Sequence, residues 1–200
     1  MDNIGRAFTF MFEDKAWPGK FVLGAVFALL SCVVIGIPFL LGYLLELTRN
    51  AYENKEIPLP EWDNLTEKLN KGLMFFIVLI IYSIPGLLFY NLPCLGACIG
   101  GIYGIAVALI IPYLMANFAL TNDFKAAFDF QKIIDFTKDN ISDVLVVVLL
   151  SLGMQIIASL GLIILVIGWF FTVFWAALGK AYLIGKLYRY VQSKQIEIPV

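Results

Sequence analysis

The chain has 200 residues, of which 61% are hydrophobic and only 14% charged, with a mean hydropathy of +0.88 and a net charge of −1. A soluble domain carries about a quarter charged residues, so this composition excludes an ordinary water-soluble fold and makes lipid the solvent for most of the chain. The near-zero charge gives no basic field for nucleic acid, and the absence of His excludes imidazole metal ligation and histidine acid–base chemistry.

In chain order, residues 4–12 (IGRAFTFMF) place Ile4, Ala7, Phe8, Met11 and Phe12 on one helical face, the pattern of a short amphipathic helix at the interface. Acidic and basic residues interrupt the first twenty positions, so no cleavable signal peptide is expected. Trp17 and Lys20 are anchor types that lead the chain into the membrane. The first apolar segment, 21–47, is roughly 40 Å long as a helix, more than the ~30 Å hydrocarbon core. Gly36 and Pro38 interrupt it, because proline removes a donor and clashes with the preceding turn.

Residues 57–64 (IPLPEWDN) follow. Pro58 and Pro60 keep the backbone extended, Trp62 is an interfacial anchor, and Asp63 or Asn64 can cap a short surface helix over 63–71. Spans are expected over 72–91, 95–119, 144–166 and 168–187, forming two helical hairpins. Residues 124–141 separate apolar from charged positions and should lie on the membrane surface. The expected fold is therefore an all-α, single-domain, polytopic transmembrane helix bundle with interfacial amphipathic helices.

All fourteen Lys and Arg residues lie outside the two tight hairpin turns. Positive charge stays cytoplasmic, which places the two long connections and the C-terminus in the cytoplasm of a multi-pass cell-membrane protein. If segment 21–47 spans once, three basic residues lie outside; if it bends back as a re-entrant pair, none do. The charge count favours the re-entrant form, and a kinked single span is the plainer alternative.

Within the spans, Gly96, Gly100, Gly104 and Ala108 recur every fourth residue and form a ridge suited to close helix packing, or to lining a pore or lipid groove. Lys180 is either a snorkelling lysine or the partner of Glu46 or Asp143 in a membrane ion pair. Gln155, Ser159, Thr172 and a few other neutral polar residues suit interhelical hydrogen bonds or a small polar cavity. Cys94 and Cys98, four apart, are in poor helical geometry for a disulfide. No phosphate loop, zinc motif or nucleophile motif is present, and no enzyme activity or cofactor is expected.

The segments FEDKAWPGK, IPFLLGY, LPEWDN with KGL after it, IYSIPGLL and AFDFQKIIDFTKDN occur in an order that resembles a prokaryotic membrane-protein family defined only as a domain of unknown function, number 4013. The resemblance covers nearly the whole chain and implies an integral membrane protein of bacteria or archaea, with no activity or site residues to carry over. The leading expectation for function is a non-enzymatic scaffold or accessory subunit, partnered by another membrane protein or by itself. The alternative is a small transporter or lipid-handling protein acting as an oligomer.

Overall fold

The computed structural model describes residues 4–91, 95–160 and 166–197. The expected turn at 92–94, which includes Cys94, lies outside the described residues, as do residues 161–165, expected as the end of the fourth span. Seven α-helices carry the described fold: α1 (Trp17–Leu30), α2 (Gly36–Tyr52), α3 (Leu65–Tyr90), α4 (Gly96–Thr121), α5 (Phe130–Asp139), α6 (Ile141–Leu160) and α7 (Val166–Glu197). Four of them, α3, α4, α6 and α7, are long and apolar enough to cross a membrane. The fold is an all-α polytopic bundle.

The first apolar segment is two helices. α1 has 14 residues and reaches about 21 Å, too short for a ~30 Å core. It ends in a 3-10 turn at Ser31–Val33, and Val34 then adopts a left-handed conformation, φ 69°. α2 runs back beside α1, so that Phe27 stacks on Phe39 with ring centroids 5.0 Å apart. Gly36 and Pro38 thus open α2 rather than forming the break itself. In the first turn of a helix the proline's missing N–H is one that has no partner anyway. Gly36 is required there, because a Cβ would strike the end of α1 at Phe27 and Ser31.

Two other glycines set the closest helix contact. Gly42 of α2 lies against the backbone of Lys68, and Gly72 of α3 lies against the backbone of Pro38. A methyl group at either position would collide with main-chain atoms, so α2 and α3 meet backbone to backbone. α7 is the most buried of the four spans. It packs on α2, where Thr48 Oγ1 donates to the Ala181 carbonyl at 3.2 Å and Gly185 faces the Thr48 backbone.

Two expectations about surface elements are corrected, and the bounds of a third are narrowed. Residues 4–13 form two 3-10 turns, Ile4–Phe8 and Phe10–Glu13, with Ala7, Phe10 and Met11 fully buried. Phe10 stacks on Tyr182 of α7 at 4.5 Å, so this stretch is packed into the bundle and not laid on lipid. Residues 65–71 are the first two turns of α3, continuous with the span. Asn64 precedes them in the left-handed region, φ 44°, and caps through its backbone carbonyl, 2.9 Å from Glu67 N, with no side-chain cap. In 124–141, a 3-10 turn (Lys125–Phe128) precedes α5, where Asp129 Oδ1 accepts from Lys132 N at 3.2 Å as a side-chain cap. Ile133 and Thr137 of α5 face protein, while Phe130 and Ile134 are exposed.

Candidate functional site

Two features of the bundle are built from residues distant in sequence: a caged loop at the foot of the α1–α2 hairpin, and a groove between α3, α4 and α6.

The loop is IPLPEWDN. Proline-rich backbone supplies carbonyls without a secondary-structure ladder, and such groups need partners when buried. Here side chains provide them. Asn50 Nδ2 donates to Pro58 O at 3.0 Å, Lys20 Nζ to Leu59 O at 3.2 Å and Tyr43 Oη to Pro60 O at 2.8 Å, and just before the loop Arg6 Nη2 donates to the exposed Glu56 O at 2.8 Å. Trp62 is enclosed by rings: Tyr43 at 4.2 Å, Phe27 at 4.7 Å and Phe174 at 6.3 Å. Its indole N–H donates to Lys20 O at 2.9 Å. The acids on either side of it diverge. Glu61 reaches Lys20 at the foot of α1, 2.6 Å away, and Asp63 reaches Lys68 of α3 at 2.9 Å. Trp62, expected as an interfacial anchor, is therefore the plug of an aromatic box. Trp17 packs edge-on against Phe12 and Phe21, at 5.1 and 5.6 Å.

Lys20 and Lys68 are both buried, and each holds two carboxylates: Asp14 at 2.5 Å and Glu61 for Lys20, Glu46 at 2.8 Å and Asp63 for Lys68. Burial pushes the Asp14 carboxyl up, but the hydrogen bonds from Lys20 and the Ala16 N–H, with the lysine's charge, outweigh it and hold it below the usual carboxylate range. A cavity of about 240 Å³ beside Lys68 is lined by Glu46, Arg49, Glu53 and Lys71 among others. Its charges are internally paired, Arg49 with Glu53 at 2.8 Å and Lys71 with Glu67 at 2.6 Å, so it offers no uncompensated charge to a ligand.

The anticipated ion pair of Lys180 with Glu46 or Asp143 is not formed. Glu46 is taken by Lys68, and Asp143 faces Lys194 at 3.4 Å. Lys180 is partly buried, with no salt-bridge or hydrogen-bond partner among the described residues. It lines a cavity of about 170 Å³ with Pro112 of α4 and Ser151 and Gln155 of α6. The Ser151 hydroxyl donates to its own helix at Val147 O, 2.7 Å away. Of the other polar residues in the spans, Thr172 makes an interhelical bond to Ala158 O at 2.7 Å, while Ser83, Asn91 and Ser159 bond within their own helices.

Above this cavity runs an apolar groove of about 750 Å³, open on one side and walled by α3, α4 and α6. The small-residue ridge forms its floor. Gly96 packs against the backbone of Phe89 and Tyr90, and Gly100 lies under the Tyr90 ring. A Cβ added at Gly104 or at its neighbour Gly101 would meet nothing within 4 Å, and Ala108 lines the groove. Within the chain, the ridge is thus covered at one end and open along the rest. Ala108, Ile111, Val148 and Leu152 line both the groove and the Lys180 cavity, so the two spaces adjoin. Hydropathy and spacing located the ridge and Lys180; nothing in the sequence showed that they border one cleft.

No curated protein and no solved structure matches the chain. A family model matches residues 25–167, well over half of the chain, from the middle of α1 to the start of α7. The chain belongs to the family described as protein of unknown function (DUF4013).

Proposed function

We propose that this protein is a non-enzymatic, lipid-handling membrane protein that receives an acyl chain in the groove between α3, α4 and α6. The observation that carries this reading is the open glycine floor. A polytopic protein usually closes small-residue ridges with a neighbouring helix, yet a Cβ at Gly101 or Gly104 would meet no atom of a neighbouring element within 4 Å. The groove volume of about 750 Å³ falls in the usual range for ligand sites. Its walls are apolar, with exposed Leu87, Leu149 and Leu152 along the open side. Such a surface suits a flexible hydrocarbon chain and offers nothing to an ion.

The same reading has the protein in the cytoplasmic membrane, with the long connections and the C-terminus on the cytoplasmic side and, taking the α1–α2 hairpin as re-entrant, the N-terminus there too. The caged loop then serves as a rigid foot that holds the hairpin beside α3 and α7.

A photoreactive amino acid at Gly104, activated in native membranes, tests the reading. Adducts of lipid mass on a monomeric protein are the expected result. Cross-linking to a second copy or to another protein instead would give the ridge to helix packing and return the protein to the scaffold class.

A further inference from the structure

The geometry points to Lys180 as the headgroup site of that groove, and so to an anionic glycerophospholipid as its occupant; the inference rests on the lipid-handling reading above. A lone cation within a span is costly unless it is paired or wet, and among the described residues acids pair with other lysines but not with this one. Glu46 and Asp143, the acids expected to pair with it, are engaged by Lys68 and Lys194, which leaves Lys180 without a carboxylate partner among the described residues.

The cavity is polar on one side. Lys180 and Gln155 bring donors to it, and neither side chain has a hydrogen-bond partner among the described residues. Pro112, also in the wall, has no N–H to give the Ala108 carbonyl, so the helix itself is locally open at this level. About 170 Å³ gives room for a small headgroup group with a few waters. The polarity of the cleft fits one orientation of a lipid. From Ala108, at the Lys180 cavity, the floor runs to Gly100 over eight residues, about 12 Å, away from the long connections. A phosphate at Lys180 would therefore send its acyl chain up the glycine floor, as an inner-leaflet lipid lies. Phosphate answers lysine as a point charge, through charge-assisted hydrogen bonds.

The test uses the full chain in nanodiscs of equimolar phosphatidylglycerol and phosphatidylcholine, with retained lipid counted and identified by native mass spectrometry. The expected result is one phosphatidylglycerol held in preference to phosphatidylcholine by about tenfold, because both lipids carry the phosphate but only phosphatidylcholine brings a second cation towards Lys180. Lys180→Gln should abolish the preference, Lys180→Arg should keep it, and Lys186→Gln, on the same helix, should leave it unchanged. Gly104→Leu, which fills open space, should release both lipids. Equal retention of the two lipids by the native protein, or an undiminished preference in Lys180→Gln, would overturn the headgroup assignment while leaving the groove intact. Retention unaffected by Gly104→Leu would overturn the groove reading itself. A lipid-free dimer would overturn both, giving the cleft to a second copy.

Discussion

Trp62 stacks on Tyr43 with ring centroids 4.2 Å apart and planes 20° from parallel, and the Tyr43 hydroxyl holds the Pro60 carbonyl two residues earlier. One aromatic pair thus fixes both the side chain and the backbone of the loop. Trp62→Ala removes the plug from a box lined by Phe27, Tyr43 and Phe174. The expected cost is about 3 kcal/mol, read as a lower midpoint of thermal unfolding in nanodiscs. Trp62→Phe, which keeps the stacking and loses only the bond to Lys20 O, should cost about 1 kcal/mol.

The Lys20–Asp14 pair predicts an acid limb. The Asp14 carboxyl is held below its ordinary value, so it binds fewer protons in the folded state than in the unfolded state over the acid range. Its contribution is complete above the unfolded value, about 4, and is lost as the pH falls through the lower folded value. Asp14→Asn should be less stable at neutral pH and less altered by acid. Lys20→Met strands a buried carboxylate and should cost about 3 kcal/mol, much of it recovered in the double variant with Asp14→Asn. Glu61, whose side chain is 66% exposed, returns to water when Lys20 is lost and adds little. Unfolding midpoints measured from neutral to acid pH check the whole cycle.

Val34 is β-branched and sits at φ 69°, a conformation that crowds any Cβ. Val34→Gly should therefore raise stability, by up to about 1 kcal/mol, despite deleting an apolar side chain. That side chain is 53% exposed, so little packing is lost with it. A fall in the unfolding midpoint would show that the turn between α1 and α2 has another geometry.

Glycines separate by what faces them. Gly72→Ala drives a methyl group into the Pro38 carbonyl and must push α2 off α3, at a cost of about 2–3 kcal/mol or more. Gly104→Ala meets open space and should fall within about 0.5 kcal/mol of the native protein. Paired unfolding measurements in one nanodisc composition decide the comparison.

Much of the fold was legible in the sequence because hydropathy over twenty residues is a local property, and the four spans α3, α4, α6 and α7 follow from it. The turn at Val34 was not, since no residue there signals a left-handed backbone; Gly36 and Pro38 mark the start of the next helix instead. Pairing was equally hidden. Lys68 lies 22 positions after Glu46 and Lys194 lies 51 after Asp143, and only the packing of α2 on α3 and α6 on α7 brings them together. The 3-10 period also disguised the N-terminal stretch. It buries Ala7 and Phe10, three apart, whereas a 3.6-residue period selects Met11 and leaves Phe10 outside the apolar face. The glycines that set helix contact, Gly42 and Gly72, occur singly in different segments, while the repeating series on α4 lines a cleft.

The α1–α2 hairpin, proposed to be re-entrant, is the element on which the arrangement depends, since it brings Asp14 and Lys20 to the same end of the bundle as the caged loop. Its most direct test is thiol labelling from each side of sealed membranes, with single cysteines at Lys15 and Lys55 in a background where Cys32, Cys94 and Cys98 are alanine. The account predicts that a membrane-impermeant reagent reaches both positions from the cytoplasmic side only. Labelling of position 15 from the outside, with position 55 reached from within, would make the first segment a single span and contradict the hairpin.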